Sequence, residues 1–183
     1  MKRSFYLLLC ISALLLLSQS CTEPQDFSQF DDLSITPTLA TGLFYMESDE
    51  ATINDAGSLS TFYSQTVNFD AFNEQYVAEH LIEGTITYEI LNTTSKQLRV
   101  TIEFLDEAEN TLDAELFNID PDPSGINIWE VAYGPGGKGL DILANTSSLR
   151  ITATNLGDAT SVSTQSEPKI KFKSAAEFLF RLK

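Results

Sequence analysis

The sequence predicts a mainly β protein, an antiparallel β-sandwich carrying one or two short helices. Apolar and polar residues alternate with a period of two through much of residues 39–183, as half-buried strands do. The alternating runs are short and separated by clusters of Asn, Asp, Thr, Ser and Gly. Residues 21–183 hold one cysteine, so a core and not a disulfide framework must hold the fold together.

The chain begins with a stretch that is not part of the sandwich. Lys2 and Arg3 precede an apolar core of thirteen residues, Phe5 to Leu17, interrupted only by Ser12. A membrane-spanning helix needs roughly 20 such residues, so this reads as a secretion signal over residues 1–20. Small and polar residues, Ser18, Gln19 and Ser20, follow, and then Cys21. The stretch Leu17-Ser18-Gln19-Ser20-Cys21 resembles a bacterial lipobox, of the loose kind found in Bacteroidota, with Ser18 where Leu is usual. That resemblance implies a diacylglycerol and an N-acyl chain such as palmitate on Cys21. Cys10 would leave with the signal, and Cys21 then has no cysteine to pair with. Thr22 stands where some lipoproteins carry the Asp that retains them in the inner membrane, which points to the outer membrane.

Residues 21–38 read as an acidic, flexible tether with Pro24 and Pro37 and no sustained period. The domain follows, over 39–183. Leu43 to Met46 is a short apolar run, then comes an acidic loop from Glu47 to Ser60. Phe62–Phe69 reads as a strand. Phe72, Tyr76, Val77 and Leu81 have helical spacing, which predicts a short helix over Ala71–His80 with Asp70 as N-cap. Ile86, Tyr88 and Ile90 alternate inward, then Leu98, Val100, Ile102 and Phe104, then Leu112, Ala114 and Leu116. Short turns separate these runs, which predicts a three-strand meander. Further strands are predicted at Ile126–Tyr133, Leu149–Thr154 and Phe178–Leu182, with a helical turn over Gly139–Ala144. Lys169 to Lys173 alternates Lys with apolar residues, as protected edge strands do.

The segment ITYEILNTTSKQLRVTIEFLDEAENTLDAELF resembles bacterial immunoglobulin-like modules of the FxLYD type. Phe104, Asp106, Asn110 and Leu112 stand at the matching places, although Leu105-Asp106 lacks the family's Tyr. The resemblance implies an immunoglobulin-like sandwich and no activity. The chain as a whole is also similar to short lipoproteins of flavobacteria, in which no motif defines an activity.

Charge excludes some partners. The whole chain carries a formal −15, and residues 21–95 hold thirteen acids with no Lys or Arg. Such a field repels nucleic acid and anionic headgroups, and attracts cations or a basic partner.

Candidate chemistry is sparse. Asp120, Asp122 and Ser124, followed by Gly125, resemble the opening of a calcium loop. The acid due twelve places in is replaced by Val131, and two prolines stiffen the stretch, so a strand-connecting turn is the preferred reading. Gly134-Pro-Gly-Gly-Lys138-Gly139 lacks the Ser or Thr that follows the Lys of a phosphate loop, and reads as a flexible loop. His80 is the only histidine, and no nucleophile elbow accompanies it, so no catalytic residue is assigned. Phe62, Tyr63, Phe69, Phe72, Tyr76, Trp129 and Tyr133 could form a stacking platform, but aromatics at strand spacing are more often core.

The function read from the sequence is therefore a membrane-anchored envelope lipoprotein. It would act without catalysis, as a binding or assembly module for an envelope or outer-membrane protein, with no cofactor beyond its lipid. The alternative is a surface module binding carbohydrate or calcium.

Overall fold

Eight strands and three short helices make up the described part of the chain, residues 34–69 and 75–182 of a computed structural model. The first half runs β1 (Thr38–Asp49), α1 (Glu50–Ala56), β2 (Thr61–Asn68), α2 (Gln75–His80), β3 (Leu81–Asn92) and β4 (Leu98–Leu105). The second half runs β5 (Thr111–Ile119), β6 (Asp122–Tyr133), α3 (Leu140–Asn145), β7 (Ser148–Asn155) and β8 (Lys169–Phe180). All described residues belong to the compact unit Ser34–Lys183. The signal segment, Cys21, most of the tether and residues 70–74 of the predicted helix lie outside the described residues.

The strands pair as a nested set, first with last: β1 with β8, β2 with β7, β3 with β6 and β4 with β5, all antiparallel. The chain is thus one long hairpin whose apex is the turn between β4 and β5, rolled up on itself. Pairing of β3 with β8 and of β4 with β7 then completes two sheets, β1-β8-β3-β6 and β2-β7-β4-β5. The mainly β, antiparallel sandwich with short helices is as the sequence predicts. Within that class, the strand order is that of a double Greek-key jelly roll. An immunoglobulin sandwich keeps its first two strands paired in one sheet, whereas β1 and β2 here lie in different sheets.

The predicted meander is corrected by the same order. Only β4 and β5 form a hairpin, while the turn after β3 crosses from one sheet to the other. Asn92 enforces that crossing from a fully buried position. Its amide donates to the carbonyls of Lys96 (2.8 Å) and Asp120 (3.3 Å), and its Oδ1 accepts from the Thr94 amide and hydroxyl.

The core sits between the sheets and follows the predicted alternation in β3, β4 and β7. Ile86, Tyr88, Ile90, Leu98, Val100, Ile102, Phe104, Leu149, Ile151 and Ala153 are all buried. Phe172 of β8 is its aromatic centre, 5.2 Å from Phe44, 5.7 Å from Phe117 and stacked on Tyr88 at 6.0 Å between ring centroids. Lys169 to Lys173 is not an edge. It is the start of the single strand β8, which lies between β1 and β3 and runs on to Phe180. Its lysines face solvent and meet acids of the flanking strands, Lys169 with Glu47 at 2.9 Å and Lys173 with Glu89 at 2.5 Å. Leu182, expected inward, lies beyond the strand and is 43 % exposed.

A helix also occupies the predicted acidic loop. Asp49 caps α1 by accepting from the Thr52 amide at 2.7 Å, and Ile53 anchors it in the core. Glu50 of α1 is 3 % exposed and accepts the amides of Ser95 (2.5 Å) and Ser163 (2.8 Å). Lys96, equally buried, donates to Asp158 (3.1 Å) and to the carbonyl and hydroxyl of Ser161. This polar clasp joins α1, the β3–β4 turn and the long β7–β8 loop.

Candidate functional site at the open edge between the sheets

The strands β5 and β6 are edge strands, one in each sheet, and both carry an unusual sequence for that place. In β5 the buried residues are Phe117 and Ile119. A period of two then forces Asp113 and Glu115 onto the inner face and leaves Leu112 and Leu116 exposed, the reverse of the predicted facing. The stripe is set by the two larger residues at the strand's end, where the partner sheet offers Trp129 to Phe117 at 5.3 Å.

Inward carboxylates need a partner. Lys138 supplies it, donating to Asp113 at 2.5 Å and Glu115 at 2.6 Å. Burial alone would lower its pKa, but the hydrogen bonds to Asp113 and Glu115 outweigh that and hold it above the usual lysine value. The glycine-rich loop after β6 positions this lysine, and it is a tight latch where flexibility was expected. The Lys138 amide donates to the Ala132 carbonyl (2.9 Å), and the Gly134 amide to the Lys138 carbonyl (2.8 Å). Gly134 has φ +104°, and a Cβ on Gly137 would fall 2.2 Å from the Ala132 oxygen. Side chains at these two places would push Lys138 away from the carboxylates.

In the adjoining core, Tyr88 and Tyr133 are 1 % exposed and their hydroxyls have no hydrogen-bond partner among the described residues. Burial first, then the carboxylates of Glu115 and Asp113, holds both phenols well above the ordinary tyrosine range. Tyr133 also raises Tyr88 directly. The open edge is thus negative and polar inside.

Alongside this cluster, β6 presents an edge that little protects. The latch covers Ala132 and Tyr133, and no strand pairs along the far side of β6 in the described structure. Its register with β3 is unbroken from Asn127 to Tyr133, and Ile126 and Ile128 are 59 % and 60 % exposed. The pairing of β6 shifts once, between Ile90 and Asn92 of β3, before Asn127; β5 carries inward charges, and β1 and β2 carry shifts at Gly42/Phe44 and Thr61/Tyr63. Inward charges and bulges are the usual means of keeping an edge from pairing.

The predicted site residues fall elsewhere. Cys21 is outside the described residues. Asp120 is exposed and its carboxylate accepts from Gln97 Nε2 at 2.8 Å. Asp122 and Ser124 belong to strand β6, with Asp122 in register with Asn92, so this stretch is extended where a calcium loop would turn tightly. Among the described residues no group of three or more His, Cys, Asp or Glu side chains is placed to hold a metal. Of the aromatics, Phe69 and Tyr133 are buried, and Phe62, Tyr63 and Trp129 pack against the core. Phe72 and the Tyr76 side chain lie outside the described residues. The sequence reading missed Asp113, Glu115 and Lys138 as a set. Its one available signal was a pair of acids at strand spacing just before Phe117.

No family model and no curated protein matches the chain. Among solved structures, it is similar to a chain of infectious bursal virus derived T=1 particles, with 9 % identity and a TM-score of 0.41. That match covers 82 % of this chain and 32 % of the other, so the chain spans about a third of the viral protein's length. It is similar to Desmodium yellow mottle tymovirus over 82 % of this chain and 89 % of the other, with 10 % identity and a TM-score of 0.36. A third similarity is to Bacillus endospore appendages, disulfide-linked pili, over 80 % and 91 % of the two chains, with 6 % identity and a TM-score of 0.34. At this level of similarity they say nothing of what this chain binds.

Proposed function

We propose that the protein is a cell-envelope lipoprotein, anchored in the outer membrane through acylated Cys21, whose sandwich serves as a non-catalytic docking module for an envelope protein. The docking element is the β6 edge, which accepts a strand of the partner and extends the sheet β1-β8-β3-β6. One observation carries this reading: from Asn127 to Tyr133 β6 pairs with β3 without a shift, with exposed Ile128 on its outer face and no charged residue facing inward, whereas β5 turns Asp113 and Glu115 inward. Main-chain hydrogen bonds would supply the affinity, and the two isoleucines a place for apolar side chains of the incoming strand.

The test uses the full chain expressed in a bacterial envelope. Mild crosslinking and purification recover a defined envelope partner with the native chain, and lose it with Ile126→Lys/Ile128→Lys, which blunts the edge without touching the core. Equal recovery with both chains contradicts the reading. The anchor is checked separately by labelling with a palmitate analogue, which marks the native chain and not Cys21→Ala.

A further inference from the structure

Lys138, Asp113 and Glu115 meet at the gap between the two sheets. Lys138 follows β6, the edge of one sheet, and both acids stand on β5, the edge of the other. Asp113 and Glu115 are two residues apart on one strand, so they share a face and meet the same amine. Lys138 Nζ lies 2.5 Å from Asp113 Oδ2 and 2.6 Å from Glu115 Oε1. With a carbon–oxygen bond of about 1.2 Å, Asp113 Cγ can be no farther than about 3.7 Å from the amine. That is a small movement from the roughly 3–3.5 Å of an attack geometry. The latch presents the amine, fixing Lys138 through both its backbone amide and its carbonyl. Water has limited access, because the Asp113 and Glu115 side chains are 22 % and 15 % exposed. A backbone bridge between Lys138 and Tyr133 also sets a buried aromatic residue beside the cluster.

From this contact we infer that Lys138 and Asp113 join in an intramolecular amide bond, with Glu115 as the proton carrier. Glu115 takes a proton from the Lys138 ammonium and passes it to Asp113, which leaves a neutral amine facing a carboxylic acid. That form holds the same protons as the resting ion pair, so the charge on the lysine does not block the step. Nζ then attacks Cγ and gives a second proton, through Glu115, to the departing hydroxyl. The Cγ–N bond forms, the Cγ–O bond breaks, one water leaves, and Glu115 ends as the carboxylate it was. The condensation is redox-neutral and needs no co-reactant. It is uphill between separate molecules in water, but groups held in contact act at an effective concentration of about 10⁵ M or more, which favours the bond. The product ties the latch to β5 and so links the edge strands of the two sheets. It supplies a covalent constraint where residues 21–183, with one cysteine, can form no internal disulfide. The inference is independent of what docks on β6.

The test is tryptic peptide mapping by mass spectrometry of the full-length protein, denatured after folding. Trypsin does not cut after an acylated lysine, so residues 100–150, bounded by Arg99 and Arg150, should remain one peptide, lighter by one water than its sequence. Fragmentation should place the bond between Asp113 and Lys138. Asp113→Ala and Lys138→Arg should abolish the water loss, and Glu115→Gln should slow its appearance about a hundredfold, with circular dichroism checking that each variant folds. The native spectrum decides the matter even where a variant does not fold. Complete cleavage after Lys138 with no mass deficit overturns the amide. A bond from Lys138 to Glu115, or water loss at an unchanged rate in Glu115→Gln, overturns the assigned roles.

Discussion

Lys138 is the residue on which the open edge depends. It is the only cation within reach of Asp113 and Glu115 among the described ion pairs, and both carboxylates are mostly shielded from water. Exposed pairs contribute about 0–1 kcal/mol and removing one partner of a buried pair costs about 3–5 kcal/mol. This half-exposed site belongs between them. Lys138→Ala should therefore destabilise the fold by about 1–3 kcal/mol in urea denaturation, and Lys138→Arg by less. A loss under about 0.5 kcal/mol would mean that the two acids are solvated well enough without the lysine. Asn92 is the second such residue. It is fully buried and serves four hydrogen bonds at the crossing between sheets. Asn92→Ala strands several backbone groups, each costing about 1–3 kcal/mol, and should lower stability more than any single surface change. The sequence showed this asparagine only as part of an Asn-Thr-Thr-Ser turn, because a buried turn and a solvated one have the same composition.

At the scale of elements, strand positions were legible and strand partners were not. Alternation in Ile86–Ile90 and Leu98–Phe104 says which side chains face inward. It cannot say that the two runs belong to opposite sheets, because both faces of a sandwich core read alike. The lysines of β8 mislead for a related reason, since a central strand with a solvated outer face has the same pattern as a protected edge. Helix α1 was hidden by its length, seven residues with Ile53 as its one large apolar residue. The facing of β5 was decided by Phe117 and Ile119 at its far end, so the milder Leu112–Leu116 pattern lost. That facing predicts an inequality. Leu116→Lys, 54 % exposed, should change stability by no more than about 0.5 kcal/mol, whereas Phe117→Ala should cost about 3–5 kcal/mol. Comparable losses from both would place Leu116 inward and refute the assigned face.

For the whole molecule, titration fixes the pH range over which the fold holds. The Glu50 carboxyl is pushed up by burial, but the Ser163 and Ser95 amides and the Lys96 charge outweigh this and hold it below its usual value. Asp158 is lowered chiefly by the Ser161 and Thr160 amides, Asp106 by Asn110, and Glu103 by Arg150. A carboxyl depressed in the fold stabilises fully above its unfolded pKa, about 4, and loses that contribution as pH falls through the folded value. Tyr88 and Tyr133 are raised, so their contribution holds below the unfolded value of about 10 and is lost as pH rises beyond it. Thermal midpoints should thus stay level between about pH 5 and 9, fall below about 4 as the clasp and the turns protonate, and fall again above about 10. A midpoint that rises on acidification would contradict the assigned network. The formal −15 repels nucleic acid and anionic surfaces.

The most direct test of edge docking is site-specific photo-crosslinking in intact cells. A photoreactive amino acid is placed at Ile128 on the β6 edge, or at Thr66 on β2, exposed at the opposite side of the sandwich. Docking through β6 predicts one discrete higher-mass adduct in the membrane fraction from position 128, none from position 66, and loss of the adduct when Ile126→Lys is added. Adducts of equal yield from both positions, or from position 66 alone, would contradict it.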